Sequence, residues 1–358
     1  MFSRYGTIQM TYFYKGAIHI HSVFSDGTGT IDEISRAAKE AGLDWIIITD
    51  HNKIGFEQGI YNGVYVLAGE EISPSSQSNH CMAFGIKEQI DKTEKPWEFL
   101  YEIKKQNGLS CICHPHESLE RQNDYPPIRW EHSDSKMVDG VEIWNYFSNW
   151  TNLYNDRNIL TQAYYYLFGN FMKNEPLKET LEMWDRLNQG IRECKFAIGG
   201  IDAHAIKYKK FFFSFPVYPY SRLFKTVINV IPLKEKLPRN FEKAEEIILN
   251  SIKEGRHFIL DQRRGKDCEI YFCAHNKLFS APCGDCIELD EDSEISVILP
   301  KKAEIRLIKD GELYKSEKAK RTDFKINSEG KYRIEIYINS NAWVFSNPIT
   351  YIHKRKGV

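Results

Sequence analysis

The first two-thirds of the chain alternate short apolar runs with segments of helical periodicity. Residues 45–49 and 64–67 are apolar, with no alternation of polar side chains, as is typical of strands buried on both faces of a parallel sheet. Before the first of these runs, Thr30 and Glu33 have the capping-box spacing that begins a helix, and Gly42 ends it. About seven such strand–helix units follow one another, and they predict a distorted (β/α) barrel.

The alternation of predicted strands and helices is interrupted once, and it ends near residue 265. Residues 150–190 carry apolar side chains at helical spacing, and we predict a helical insertion that forms a wall or lid over a site. From residue 266 the runs are short and alternating, and residues 332–338 have the pattern of a strand with one solvent-facing side. We therefore predict a barrel domain at 1–265 and a small immunoglobulin-like β-sandwich at 266–358.

Composition excludes several classes of function. The 358 residues are 42% hydrophobic and 27% charged, with a net charge of -1, which is ordinary for a soluble globular protein. No basic stripe favours nucleic acid, no apolar run is long enough to span a membrane, and no signal peptide is visible. The 8 cysteines are expected to be free thiols, and Cys283-Gly-Asp-Cys286 is either a turn or a small metal site. We expect a cytoplasmic protein with no nucleic-acid or membrane partner, and the oligomeric state stays open.

Imidazole and carboxylate side chains follow nearly every predicted strand of the first two-thirds. Most of the 11 histidines fall at or directly after these runs, which isolated core histidines would not do. The carboxyl ends of parallel strands meet at one end of a barrel, so these side chains are expected to converge on one metal site. The set comprises His19, His21, Asp26, Asp50, His51, Glu70, Glu71, His80, His114, His116, Asp202 and His204.

The spacing within this set predicts more than one ion. His19 and His21 lie on the same side of a strand and can chelate a single ion, because side chains alternate with a period of two. Asp26 adds a carboxylate on a turn, and either Glu70 or Glu71 can bridge two ions. Neighbouring ions lower the pKa of a shared water and create a hydroxide, which suits hydrolysis of phosphate esters better than redox chemistry.

Taken together, these motifs resemble those of the PHP (polymerase and histidinol phosphatase) superfamily of metal-dependent phosphoesterases. The likeness covers roughly residues 15–260 and lies in His19-x-His21, Ser25-Asp26-Gly27, Thr49-Asp50-His51, Gly69-Glu70-Glu71-Ile72-Ser73, His80, His114-Pro115 and Asp202-Ala203-His204. It implies a distorted (β/α)7 barrel with a trinuclear site at the carboxyl ends of its strands. A barrel followed by a small β-domain is similar to a bacterial subgroup that includes carbamate-hydrolysing members.

The resemblance also implies which ion each ligand holds. The first ion would take His19, His21, Glu71 and Asp202. The second would share Glu71 and take His80 and His114. The third would take Asp26, His51 and His204. Glu71 is preferred to Glu70 because the Gly-x-Glu-Ile pattern of the family puts the acid just before Ile72.

Four further residues are assigned from their positions. Asp50 is predicted to orient a ligand through a hydrogen bond, with a strand-end cap as the alternative. His116 is predicted to hold a substrate phosphate or to donate a proton to the leaving group. Lys53 and Arg121 are predicted to bind phosphate, with a solvated surface charge as the alternative for each. Glu142 follows a strand, and the family pattern gives it no metal role.

The sequence thus predicts a hydrolase that cleaves a small phosphorylated molecule with a metal-bridged hydroxide. It would bind two to three divalent ions, and the ligand types suit Zn, Mn and Fe alike. The first alternative is a carboxylester or carbamate hydrolase with the same ions. The second is a non-catalytic, metal-holding regulatory module. The substrate stays open.

Overall fold

The computed structural model describes residues 12–117, 128–131, 135–149, 173–190, 194–205, 207–210, 213–216 and 218–353. It is a mixed α/β structure with a large sheet and few helices. The strands up to residue 261 are β1 (Tyr12–Ile18), β2 (Trp45–His51), β3 (Gly59–Tyr61), β4 (Val64–Ile72), β5 (Cys81–Phe84), β6 (Leu109–Ile112), β7 (Gly140–Asn145), β8 (Phe196–Gly200), β9 (Lys207–Lys210), β10 (Phe213–Pro216), β11 (Val227–Leu233) and β12 (Phe258–Asp261).

The remaining strands follow without an intervening helix. They are β13 (Tyr271–His275), β14 (Ser280–Pro282), β15 (Cys286–Leu289), β16 (Glu294–Lys309), β17 (Glu312–Lys325), β18 (Gly330–Ile338), β19 (Asn341–Ser346) and β20 (Ile349–His353). The α-helices whose full ranges are described are α1 (Ile31–Glu40), α2 (Pro96–Lys105), α3 (Lys178–Leu187), α4 (Tyr220–Leu223) and α5 (Phe241–Lys253). Among these, no helix combines the length and the apolar character needed to cross a membrane.

The strands that carry the ligand-type side chains pair one after another. Strand β1 pairs with β2, β2 with β4, β6 with β7, and β7 with β8, all in parallel. Strand β5 instead runs antiparallel to both β4 and β6, so the prediction of a parallel barrel is wrong at this strand. The connection at residues 73–80 is too short for the crossover that a parallel pair requires.

Backbone hydrogen bonds also join the end of β8 to the end of β1. The amide of Ile201 donates to the carbonyl oxygen of Ile18 at 3.1 Å. Beyond it, Ala203 donates to His19 at 3.1 Å and accepts from His21 at 2.9 Å. The residues that follow β1 and β8 are therefore held side by side, which brings His19 and His21 next to Asp202.

Two local predictions are confirmed. Residues 45–50 of β2 are all buried, as expected of a strand covered on both faces. Thr30 caps α1: its hydroxyl accepts from the amide of Glu33 at 3.3 Å, while the Glu33 carboxylate accepts from the amide of Thr30 at 2.8 Å. This capping box begins α1 at Ile31.

Beyond residue 266 the strands are mainly antiparallel, with β16 paired to β13, β17 and β18. The short runs predicted here are joined in β16 and β17, which have 16 and 14 residues. The prediction of one solvent-facing side on β18 is wrong, because residues 330–336 are all buried. Helix α3 covers the second face: Arg333 of β18 donates to Asp185 of α3 and to Glu335 at 2.8 Å. Strand β12 pairs with β19, so one sheet continues across residue 265, and the domain boundary there stays a prediction.

The predicted insertion at 150–190 is described only in part. Residues 150–172 lie outside the described ranges, and helix α3 confirms helical structure near the end of the segment. The cysteines are free thiols, as expected. Cys283 is buried and its thiol donates to the carbonyl oxygen of His257, whereas Cys286 is exposed, so the motif is a turn with divergent thiols.

Candidate metal centre

The predicted ligands lie around one cavity at the carboxyl ends of β1, β2, β4, β6 and β8. Its volume is about 400 Å³. Among the described residues its wall includes Asp26, His51, Glu71, His80, His114, Asp202 and His204. His19 and His21 are fully buried beside this wall.

Three of these residues have a backbone conformation that L-amino acids rarely adopt. The φ angles are 68° at His19, 24° at His114 and 48° at Asp202. Such conformations cost on the order of 1–3 kcal/mol each and cluster at functional sites. The hydrogen bonds between residues 18–21 and 201–203 hold two of them in place. No pattern in the sequence signals this strain.

Glu71 lies at the centre of the cluster. Its Oε2 atom is 3.1 Å from Nε2 of His19, 3.2 Å from Nε2 of His21 and 3.2 Å from Nδ1 of His51. Its Oε1 atom is 2.8 Å from Nδ1 of His80 and 3.3 Å from Nε2 of His114. Two oxygens directed at two groups of imidazoles give the geometry expected of a bridging carboxylate.

Glu70 lies on the other side of β4, because neighbouring side chains of a strand point in opposite directions. Its Oε2 atom accepts from the amide of Ile90 at 2.8 Å. Burial raises the pKa of Glu70 to about 7, although the hydrogen bond from Ile90 acts in the opposite direction. Of the two adjacent acids, Glu71 is therefore the one that contacts the histidines.

The atoms of the innermost group have the separations of ligands around one ion. Nε2 of His21 is 3.3 Å from Oδ1 of Asp202, and Nε2 of His19 is 3.5 Å from the same oxygen. Ligand atoms placed tetrahedrally at zinc-like distances are separated by roughly 3.4 Å. His19, His21, Asp202 and Glu71 thus fit a single ion.

A second group lies nearer to solvent. Oδ1 of Asp26 is 3.2 Å from Nε2 of His204, and Oδ2 is 3.8 Å from Nε2 of His51. His21 is also close, with its Nδ1 atom 3.7 Å from Oδ1 of Asp26. These four residues can hold one ion at the mouth of the cavity.

Several buried ring nitrogens in the cluster have no hydrogen-bond partner. They are both ring nitrogens of His21, Nε2 of His80 and Nδ1 of His114. Buried polar atoms in folded proteins are nearly always paired, because an unpaired one costs the desolvation of that atom. Coordination of a metal ion would satisfy His21 and His80, so the donor set fits the cofactor that the sequence predicts.

Carboxylates control protonation in the cluster. Burial lowers the pKa of His21, but the neighbouring carboxylates of Asp202 and Glu71 outweigh it and raise that pKa to about 9. Glu71 itself has a pKa well below its usual range, because the nearby histidines outweigh the effect of its burial. His51 differs, since burial lowers its pKa to about 4. Without metal, the inner site therefore holds protons that a bound cation would displace.

Asp50 and His116 are placed away from the wall of the cavity. Asp50 accepts from the amide and hydroxyl of Ser22, at 2.7 and 2.6 Å, and from the hydroxyl of Ser25 at 2.6 Å. It therefore fixes the loop that carries Asp26 and does not hydrogen-bond to His51. Nδ1 of His116 lies 3.0 Å from the hydroxyl of Thr180, and His116 does not line the cavity.

Of the two predicted phosphate-binding residues, the structure describes only Lys53. The Lys53 ammonium lies 5.7 Å from the centre of the Phe24 ring, and Lys53 does not line the cavity. Arg121 lies outside the described residues. A different cation, Lys92, lines the wall. Its position in the loop between β5 and α2 gave no signal in the sequence.

Two buried carboxylates lie beside the histidines: Glu142, to which the sequence analysis assigned no metal role, and Glu117, which it did not predict. Glu142 accepts from the backbone amide of His114 and contacts Nδ1 of His19, both at 2.8 Å. Glu117 accepts from the hydroxyl of Ser148 at 2.8 Å, and its Oε2 atom is 3.6 Å from Nδ1 of His114. The sequence does give one signal for Glu117, because it follows the predicted ligand His114 at a spacing of three residues.

Comparison with known proteins assigns the family. The model of the PHP domain family matches residues 17–200, just over half of the chain. An uncharacterized protein of Methanocaldococcus jannaschii is 31% identical over 151 residues, which are 37% of this chain and 81% of that protein. This chain belongs to the PHP domain family.

Two solved structures are also similar. One is a two-domain protein from Bacteroides vulgatus containing a predicted PHP-like metal-dependent phosphoesterase: it is 15% identical, with a TM-score of 0.45 over 97% of this chain and 100% of that chain. The other, from Bifidobacterium adolescentis, is proposed to be a metal-dependent phosphoesterase. It is 14% identical, with a TM-score of 0.34 over 53% of this chain and 87% of that chain.

Proposed function

We propose that this protein is a metal-dependent hydrolase that cleaves the phosphate ester of a small molecule. The observation that carries the proposal is the position of Glu71, whose two oxygens contact the imidazoles of two groups of histidines. A buried carboxylate shared in this way is what a site for several divalent ions requires. Membership of the PHP family supports the same reading.

The contacts support an arrangement of three ions. The inner ion would be held by His19, His21, Asp202 and Glu71, and the outer ion by Asp26, His51 and His204. A middle ion would be held by Glu71, His80 and His114. Zn, Mn and Fe all suit these ligand types. When bound, such ions activate water and neutralise the oxygens of a phosphoryl group.

The fold proposal follows from the same pairings. The strands from β1 to β8, joined through residues 18–21 and 201–203, form the distorted (β/α)7 barrel of the family, with the ligands at its carboxyl end. The strands after residue 266 form an immunoglobulin-like sandwich.

The remaining wall of the cavity holds the substrate. Lys92 supplies a positive charge, and the amides of Asn52 and Gln77 supply hydrogen-bond donors. Ile128 and Phe147 form an apolar side that fits the organic part of an ester. A cavity of about 400 Å³ restricts the substrate to a small molecule.

The proposal is tested by metal content and hydrolysis on one sample, purified without chelator or metal-affinity tag. We expect two to three bound ions and release of phosphate from p-nitrophenyl phosphate that a chelator abolishes. His21→Ala should remove both, whereas His353→Ala, which changes an exposed histidine far from the cavity, should change neither. Equal activity of His21→Ala and the wild type would overturn the proposal.

The same assay separates the alternatives. Faster hydrolysis of p-nitrophenyl acetate than of the phosphate would assign the ions to ester or carbamate cleavage. Bound metal with turnover of neither substrate would favour a regulatory module.

A further inference from the structure

Glu142 lies within β7 and connects two strand ends of the metal centre. It is buried, with 1% of its surface exposed. Its Oε1 atom is 2.8 Å from Nδ1 of His19, and its Oε2 atom accepts from the backbone amide of His114 at 2.8 Å. The side-chain amide of Asn145 donates to the same Oε2 atom at 3.1 Å.

Two of these partners are hydrogen-bond donors that share one oxygen of Glu142. The amides of His114 and Asn145 are donors by their chemistry, and both approach Oε2. An ionised carboxylate accepts from both and leaves Oε1 for the ring N–H of His19. A glutamine oxygen could accept from both amides, but its NH₂ group would then face Nδ1 of His19 and favour the opposite ring tautomer.

The contact with Glu142 selects the ring tautomer of His19. When Nδ1 carries the proton and donates it to Glu142, Nε2 keeps its lone pair. That Nε2 atom faces Oε2 of Glu71 at 3.1 Å and Oδ1 of Asp202 at 3.5 Å, where the inner ion is assigned. Glu142 thus fixes the orientation of the His19 ring and leaves Nε2 as the nitrogen that faces the ion site.

We propose that Glu142 is a positioning residue that sets the metal affinity and geometry of the inner site. It acts on His19 through the ring and on His114 through the backbone, so one carboxylate aligns ligands of two ions. The inference rests on the proposed metal-binding function and extends it to a residue outside the ligand set.

Gly200 provides an independent way to disturb this carboxylate. A Cβ atom at Gly200 would lie 1.7 Å from Oε1 of Glu142 and 3.1 Å from Cβ of His19. A glycine is therefore needed here to leave space for the carboxylate. Gly200→Ala should displace the Glu142 side chain without removing its charge.

The test measures metal binding without turnover. Zn²⁺ affinity is determined by competition with a chromophoric chelator, and the coordination of Co²⁺ is followed by visible absorption. We expect Glu142→Gln and Gly200→Ala each to weaken Zn²⁺ binding by roughly tenfold to a hundredfold and to change the Co²⁺ spectrum. In a Glu142→Ala background, Gly200→Ala should cause little further loss, because the added methyl group enters vacated space.

Asp139→Asn is the matched control. Asp139 precedes the same strand at its opposite end, where it accepts from the amide and hydroxyl of Ser110, both at 2.9 Å. Circular dichroism of the metal-free variants identifies any that fail to fold.

A folded Glu142→Gln protein with the Zn²⁺ affinity and Co²⁺ spectrum of the wild type would overturn the positioning role alone. Equal losses from Gly200→Ala in the wild-type and Glu142→Ala backgrounds would do the same. A wild-type protein that binds neither Zn²⁺ nor Co²⁺ would overturn the proposed function as well.

Discussion

The two ends of the metal centre differ in burial. At the inner end His19 and His21 are 0% exposed and Glu71 is 1% exposed. At the outer end the side chains of Asp26 and His51 are 57% and 27% exposed. The inner ligands are part of the protein core, whereas the outer ligands lie where water and substrate enter.

The way in which the ligands are held differs too. Backbone hydrogen bonds between β1 and β8 and the carboxylate of Glu142 fix the inner end. Asp26 sits on a surface turn that is held by the contacts of Asp50 with Ser22 and Ser25. We therefore expect ions at the inner end to bind tightly and to be needed for any activity. An ion at the outer end should exchange with solvent and tune the rate.

The largest effect is expected at the inner end. Glu71→Gln removes the carboxylate shared by both groups of histidines, and activity should fall by roughly a thousandfold or more, with loss of most bound metal. Glu70→Gln changes the adjacent acid, which faces away from the cavity, and should keep the metal. Metal analysis and initial rates on both variants check this, and metal-replete Glu71→Gln would contradict it.

His257 is a buried histidine outside the cavity, and it shows how burial affects a histidine that is not a candidate metal ligand. Burial lowers the pKa of His257 to about 4, and its Nε2 atom is 2.8 Å from the carbonyl oxygen of Ala197. The unfolded chain therefore binds a proton below pH 6.5 that the folded protein takes up only near pH 4, so stability falls as the pH falls through this window. By pH 5 the loss amounts to about 2 kcal/mol.

His257→Gln should abolish this part of the pH dependence. The measurement is the free energy of unfolding of metal-free protein at pH 7.5 and pH 5, from denaturant titrations. The wild type should lose about 2 kcal/mol more than the variant over this interval. Identical losses would mean that His257 is protonated in the folded state.

A smaller loss of metal and activity is expected from a substitution at the outer end. Asp26→Asn removes the charge that holds His204 at 3.2 Å, and we expect loss of one ion with a fall in kcat of roughly tenfold to a hundredfold. Metal content and kcat, measured with and without added Zn²⁺, check the prediction. Complete loss of metal would show that the two ends are not separable.

The smallest effect on catalysis is expected from Lys92, at the exposed edge of the cavity. Lys92 lines the cavity from an exposed loop, so its charge is screened by water. Lys92→Ala should raise KM by roughly fivefold, about 1 kcal/mol, and leave kcat nearly unchanged. Lys53→Ala is the control, since that ammonium does not line the cavity. A larger rise in KM for Lys53→Ala than for Lys92→Ala would contradict the assignment of Lys92 to substrate binding.

The ligand-type residues were predictable because strand ends are visible in the sequence. An apolar run locates a strand, and the polar residue after it lies at the carboxyl end, as for Asp50-His51 after β2. Glu71 was chosen over Glu70 from the family pattern, and the alternation of β4 gives the physical reason. These signals are local, and the sequence carries them directly.

The other features depend on contacts that are distant in sequence. The pairing of Glu142 with His19 spans β7 and β1, and no local pattern encodes it. The role of Asp50 depends on where the loop at Ser22 and Ser25 folds back. The buried second face of β18 depends on α3, which the sequence places far away.

The most direct test is the number of metal ions per chain, measured by ICP-MS on the wild type, Asp26→Asn and Glu71→Gln. Two to three ions are expected in the wild type, about one fewer without the outer carboxylate, and fewer than about one without the shared carboxylate. The same metal content in all three proteins, or fewer than about one ion in the wild type, would contradict the metal centre proposed for this chain.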